Sequence, residues 1–395
     1  MRVLILRPDH LGDVVLFTGA LRHVRAMYPN AEIVFCGRRY VQNLLELCPH
    51  VDRFVPVEEL WGPIGPGMKL VKLSKRWRMI GENHPLRRLA RYVIDGCYRI
   101  VRRRTCRQYR SDVLLVPVRS PAAGFADVHE LVRALPAAAK IGIAGDLGNQ
   151  SPEQDRAAEA SYTRRLRLAP DQTHRPELAV TADYLSLLSG KTITIEDVRP
   201  EFWTGGDDRQ WALEHVIRTG GTIVLGLCPG VTSLPGKCYP AANYAEALRL
   251  CPQHRFSVVI FGAAKEADTC AEVARAVAGC PNVQSVCDLA GRTSVRQLVE
   301  ALRRTDVVLS QETAALHIAT ALDRPTVGIV GGGHFGRFYP WGDRRIHRAA
   351  SVPMDCFGCN WQCKFSVIKC IQEIPPPLVA EELRSALAGA SLGGP

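Results

Sequence analysis

Hydrophobic and polar positions follow two rhythms along this chain, one of short apolar runs and one of helical spacing. Val3–Leu6 predicts a first strand, and apolar residues then recur at helical intervals over Leu11–Met27, as far as Tyr28-Pro29. Ile33–Phe35 predicts a strand and Val41–Leu47 a helix; Val113–Val116 and Ile141–Ala144 read as later strands, with Val128–Leu135 helical between them. The rhythm restarts at Thr222–Leu227, a strand, followed by a helix over Ala241–Leu250. Ser257–Phe261, Val283–Val286, Val307–Leu309 and Thr326–Val330 continue as strands, separated by helical patterns over Lys265–Val277, Val295–Arg303 and Ala314–Leu322. Short apolar strands alternating with amphipathic helices predict parallel sheets covered by helices on both faces, the α/β class.

The restart implies two domains, and 395 residues suit two cores of ordinary size. Pro200, Gly205 and Gly206 interrupt periodicity between Gly190 and Gly221, so the expected domains are 1–200 and 201–375. Pro375-Pro376-Pro377 closes the second, and 376–395 is a tail with a short helix. Residues 60–110 interrupt the first domain: the glycines and prolines of Trp61–Gly67 break any helix, and a basic, aromatic-bearing stretch follows. From Lys69 to Arg110 there are 14 Lys or Arg against Glu82 and Asp95, within a chain of formal charge +11. Such a segment suits a polyanionic partner or an anionic membrane surface, or is simply a solvated basic face. Arg76 and Arg78 within it, with His10, are the candidate acceptor contacts. No apolar run approaches the roughly 18–20 residues of a membrane span, and Met1–Arg7 reads as strand, not signal segment. The expected location is the cytoplasm, with peripheral contact at the inner face of the membrane.

Four segments follow strands, where ligands bind in open α/β sheets. His10-Leu11-Gly12-Asp13 combines a turn glycine with a carboxylate at a helix opening; Asp13 is either an ordinary N-cap or a general base. Cys228–Lys237 carries Gly230, Thr232, Ser233 and Gly236, small enough for backbone amides to approach phosphate, and Lys237 adds a point charge. It is no Walker motif, since no Lys-Ser/Thr pair ends it. Ser310–His317 feeds a polar run into a helix, which aims free amides and the positive dipole end at an anion. There Thr313 could cap the helix and touch phosphate, Glu312 could accept from ribose hydroxyls, and His317 is a ligand or a packed core histidine. Gly331-Gly332-Gly333, with Arg337 after them, would tolerate close approach of a diphosphate. An acidic residue in one half and anion-binding loops in the other fit transfer from a nucleotide sugar.

At these residues the chain resembles glycosyltransferase family nine, which includes the ADP-heptose:lipopolysaccharide heptosyltransferases. The resemblance rests on Val3–Arg7 with Leu11-Gly12-Asp13-Val14, on Ala20-Leu21 through Tyr28-Pro29, on Asp288–Ser294, on Ser310–His317, and on Ala321–Pro325. It implies a GT-B fold, two Rossmann-like domains facing a central cleft, with the donor held mainly by the second and inversion at the anomeric carbon. It further implies Asp13 as general base and Lys237 as a donor-phosphate contact, with Gly12, Thr232, Ser233, Glu266, Glu312, Thr313, Ala314, His317, Gly332 and Gly333 around the donor. Glu312 stands where the family usually carries Asp, and Ala314 replaces a common Gly. The implied partners are an ADP-linked sugar, its heptose the expected transferred group, and a glycolipid, glycan or protein hydroxyl acceptor, with an anionic glycolipid or glycan favoured. No catalytic Mg²⁺ is expected, since no Asp-x-Asp motif is present. The same fold without catalysis would give a nucleotide-sugar or polyanion-binding protein; nucleic acid is not an expected partner, for no recognised nucleic-acid module occurs.

Fourteen cysteines include four clustered ones, Cys356, Cys359, Cys363 and Cys370. Thiolates at such spacing suit a structural iron or zinc site, and the segment resembles in kind the iron-binding cysteine finger of some autotransporter heptosyltransferases. Reduced structural thiols and a redox-labile pair are the alternatives.

Overall fold

The computed structural model describes residues 1–60, 102–119, 128–148, 150–172, 174–231 and 235–391. Among the described residues twelve strands form two six-stranded sheets, and every pairing is parallel. The first sheet contains β1 (Arg2–Leu6), β2 (Glu32–Gly37), β3 (Arg53–Pro56), β4 (Ser111–Val116), β5 (Ala137–Ala144) and β6 (Arg164–Arg167). Its order is β3-β2-β1-β4-β5-β6. The second contains β7 (Ile223–Cys228), β8 (Phe256–Ile260), β9 (Val283–Asp288), β10 (Val307–Gln311), β11 (Thr326–Ile329) and β12 (His347–Ala350), ordered β12-β11-β10-β7-β8-β9. Counted from its own first strand, each half has the Rossmann order 3-2-1-4-5-6. Direction of winding reverses beside β1 in one sheet and beside β7 in the other, and there a crevice opens at the carboxyl ends of the strands.

The principal helices are α1 (Leu11–Phe17), α2 (Leu21–Met27), α3 (Val128–Ala134), α4 (Pro152–Glu159), α5 (Glu177–Ser189), α6 (Gly206–His215), α7 (Ala241–Arg249), α8 (Ala267–Ala278), α9 (Val295–Arg303), α10 (Ala314–Ala321) and α11 (Pro376–Ser391). One helix was expected over Leu11–Met27, but a 3-10 turn at Thr18–Ala20 divides it. The Thr18 hydroxyl donates to Val15 O (2.8 Å), and a Cβ on Gly19 would lie 2.1 Å from Arg199 O, so backbone crosses backbone at a point that only glycine permits. The C-terminal helix is longer than expected: Val379, Ala380, Leu383 and Ala386 recur at helical spacing and are fully buried against the second sheet's core.

The chain groups into two compact units. The first comprises Met1–His10, Leu21–Thr173 and Asp183–Ile193; the second comprises Leu11–Ala20, His174–Ala182 and Thr194–Pro395. In the first, β1, β2 and β4 carry apolar side chains to both faces, as a parallel sheet covered on both sides requires. Arg7, buried at the end of β1, donates to Pro117 O beyond β4. In the second, α7, α8 and α11 seal one face of the sheet, with Tyr239, Tyr244, Phe256 and Leu309 at its centre. Among the described residues no helix is long and apolar enough to cross a membrane.

Candidate functional site

The second sheet changes direction between β7 and β10, and the loops leaving those two strands carry Lys237 and Glu312. Lys237 ends a 3-10 turn, Pro235–Lys237, that Gln311 ties down from the end of β10. With its amide oriented to satisfy both atoms, the buried Gln311 donates to Lys237 O (3.3 Å) and accepts from Tyr239 N. The next residue, Glu312, is half-buried, and its Oε1 has no hydrogen-bond partner. Burial raises the Glu312 pKa; the Lys237 charge works against that rise, and the neighbouring Asp13 carboxylate adds to it. Burial likewise lowers the pKa of Lys237, with Glu312 opposing. Two desolvated groups of opposite sign therefore lean on each other without forming an ion pair.

Thr313 stands at the N-cap of α10, but its side chain makes no capping bond; its hydroxyl lies 3.5 Å from Ser310 Oγ instead. The expectation that Thr313 caps the helix is therefore corrected. Among the described residues no side chain satisfies the first amides of α10, and the helix dipole adds to their positive character. Gly12 of α1 packs here: a Cβ on it would meet His317 Cδ2 at 3.5 Å and Ala314 N at 3.7 Å. Asp13 follows in the first turn of α1, so it is not the N-cap. Leu11–Ala20 belongs to the second unit, which thus holds Gly12, Asp13, Lys237, Glu312, Thr313, Ala314 and His317 together. His317 is buried, accepts from the Trp341 indole N–H at Nδ1 (3.3 Å), and has its pKa pushed down to about 4 by burial. It is a neutral packing histidine.

Glu266 faces a second part of this edge. Its carboxylate accepts from Ala263 N (2.7 Å), and a Cβ on Gly230 would meet it at 2.6 Å, so the glycine leaves room for the carboxylate. A cavity of about 380 Å³ lies beside it, lined by Val231, Tyr239, Lys265, Glu266 and Thr269 among others.

The glycine run serves a purpose other than the one expected. A Cβ on Gly332 would sit 2.0 Å from the Phe357 ring, and one on Gly333 would sit 2.4 Å from the Trp361 ring. Gly332 N–H donates to Cys370 Sγ (3.4 Å); Gly332 O accepts from Gly358 N (2.7 Å) and Gly333 O from Asn360 N (3.1 Å). The run is covered by the cysteine-bearing loop, and aromatic rings rather than phosphate explain its glycines. Arg337, expected to balance a diphosphate, is buried and 3.8 Å from the buried Glu177.

Of the remaining expected residues, His10 lies in the first unit, its Nδ1 3.4 Å from Tyr40 OH. Thr232, Ser233, Arg76 and Arg78 lie outside the described residues. Cys356, Cys359 and Cys363 are half-buried and Cys370 is buried. Burial raises the Cys370 thiol, and the other three thiols add to that rise. Among the described residues no three His, Cys, Asp or Glu side chains gather closely enough to hold an ion. Sequence reasoning missed Trp361, Phe357 and His334; two aromatics among clustered cysteines, downstream of three glycines, were the available signal.

The profile described as "Glycosyltransferase family 9 (heptosyltransferase)" matches residues 172–363. Lipopolysaccharide heptosyltransferase 2 of Escherichia coli is 24% identical over 341 residues, covering 84% of this chain and 83% of that protein. Among solved structures, a family 9 glycosyl transferase from Veillonella parvula superposes with a TM-score of 0.67 at 16% identity, covering 98% of this chain and 97% of the other. The ADP-heptose lps heptosyltransferase II of E. coli superposes with a TM-score of 0.61 at 18% identity, covering 99% and 100%. The fold is the one these structures share.

Proposed function

We propose, from the premise that the chain belongs to glycosyltransferase family 9, that it moves a heptose from ADP-heptose to a hydroxyl of an anionic glycolipid of the lipopolysaccharide core type, with inversion. The chain is a glycosyltransferase; donor, acceptor and stereochemistry are the proposal. One observation carries it: a carboxylate, an ammonium and the uncapped start of a helix meet at the switch point of a Rossmann sheet.

In this reading the acceptor oxygen attacks the anomeric carbon from the face opposite the diphosphate, through an oxocarbenium-like state. Asp13 takes the acceptor proton as the new bond forms. Negative charge grows on the departing diphosphate, where Lys237 and the first amides of α10 receive it. The cavity beside Glu266 suits the nucleoside, with the carboxylate accepting from ribose hydroxyls. The relatives named for ADP-heptose support the choice of donor.

Peripheral contact with an anionic membrane, from the cytoplasmic side, is part of the same reading. Its support is a cavity of about 440 Å³ in the first unit, where the described lining residues include Arg103, Arg107, Arg110, Arg133 and Lys140 against one acid, Asp112. Arg102, one residue earlier, turns inward to Glu130 instead. The test is a thermal-shift panel of ADP, UDP and GDP, then transfer assays with Asp13→Asn. Selective stabilisation by ADP, and a roughly 10²–10⁴-fold loss of turnover with ADP binding retained, are expected. Near-normal turnover in Asp13→Asn removes Asp13 from the base role, and equal response to all three nucleotides removes the ADP donor.

A further inference from the structure

We propose that Trp361 is a positioning residue for Lys237, holding the ammonium over its indole face so that the N–H donors stay free for the donor diphosphate. Lys237 Nζ lies 3.3 Å from the centroid of the Trp361 ring. No ion pair joins Lys237 to another described residue, although Glu312 is near enough to shift its titration. An aromatic face stabilises a cation through its quadrupole and uses none of its hydrogen-bond donors. A carboxylate partner would occupy them.

The ring itself is locked on several sides. Its N–H donates to His334 Nδ1 (3.1 Å), whose ring stands edge-on with centroids 5.8 Å apart. Asn360 and Trp361 adopt φ of 49° and 63°, a left-handed pair that costs each non-glycine residue free energy. Gly331 and Gly333 leave room for the indole, where a Cβ would approach to 3.0 and 2.4 Å. The turn bearing Lys237 is held to the same loop from its other side, since Gln372 Nε2 donates to Gly236 O (3.1 Å). Glycines opposite the ring and the left-handed backbone at Asn360 and Trp361 hold the indole at one height under the lysine.

This inference rests on Lys237 contacting the donor diphosphate, and the test separates the two claims. ADP and adenosine are titrated against wild type, Trp361→Leu, Trp361→Phe, Lys237→Met and the Trp361→Leu/Lys237→Met double variant. Trp361→Leu should weaken ADP about tenfold while adenosine binding holds. Trp361→Phe should recover most of the loss, and the double variant should bind no worse than Lys237→Met alone. Equal losses for ADP and adenosine, or losses that add in the double variant, overturn the positioning role. If Lys237→Met leaves ADP binding unchanged, the donor contact falls instead. Positioning is then read from the rate at which an amine-reactive reagent labels Lys237 in the intact chain: an altered rate in Trp361→Leu supports it, and an unaltered rate overturns it.

Discussion

Acid should unfold this protein through two histidines that its second unit keeps neutral. His317 and His347 are buried, and burial holds each ring at about 4 against 6.5 for an ordinary histidine. For His347 the Arg199 charge adds to the effect, while Asp323 and Asp343 oppose it. Both folded pKa values are depressed, so above pH 6.5 the rings are neutral in both states and their contribution is fully present. As pH falls from 6.5 toward 4, the unfolded chain binds protons that the folded chain refuses, and stability is lost. Near pH 5 the difference amounts to about 2 kcal/mol per ring, rising to about 3 kcal/mol below both values. Against a typical stability of about 5–15 kcal/mol the pair matters. Nδ1 makes the hydrogen bond in each case, to Trp341 Nε1 and to Thr326 Oγ1, and the Asn side-chain oxygen can stand in its place. Denaturant midpoints measured near pH 7.5 and pH 5 should therefore fall less in His317→Asn and His347→Asn than in wild type. If both variants keep the wild-type dependence on pH, burial is not what governs these rings.

Gly332→Ala should destabilise the protein by about 1–3 kcal/mol, since the added methyl meets the Phe357 ring; Phe357→Ala in the same chain should recover part of the loss in thermal melts. ADP binding by calorimetry should weaken as pH rises through the lowered pKa of Lys237 and lose its charge, and Lys237→Arg, charged throughout, should abolish that alkaline limb. Reversing Arg107 and Arg133 to Glu should cut sedimentation with anionic vesicles by about fivefold or more per charge, at about 1 kcal/mol each, while neutral vesicles should retain neither form.

The strands that hydrophobic pattern found are, apart from Val283–Asp288 at one edge, those whose side chains are apolar because both faces are covered. Val3–Leu6, Ser257–Phe261 and Val307–Leu309 are of this kind, and each lies within a residue or two of its observed bounds. Missed strands share an edge position. Arg164–Arg167 has three arginines, two of which pair with Glu159, and His347–Ala350 opens His-Arg. Arg53–Pro56 ends in a proline that no central strand would carry. Edge strands take such residues because one side needs no partner and aggregation must be avoided, so their polarity hides them from a search for apolar runs.

The candidate site was legible wherever it depends on what a short segment is, and illegible where it depends on what the segment meets. Asp13, Lys237, Glu312 and the start of α10 follow strands in a Rossmann arrangement, and their chemistry is local. The three glycines were equally visible, but small residues signal only that something approaches closely. A phosphate and an indole ring leave the same trace in sequence. Phe357 and Trp361 lie about two dozen residues downstream and reach the run only after the chain has formed β12 and returned, which no local pattern encodes. The cysteines drew the eye in that segment, yet between them sit the aromatics that touch the run and Lys237. In the proposed reading, anion chemistry at this edge therefore runs through Lys237 and the amides of α10, with the glycine loop one step behind them as the seat for the ring beneath the lysine.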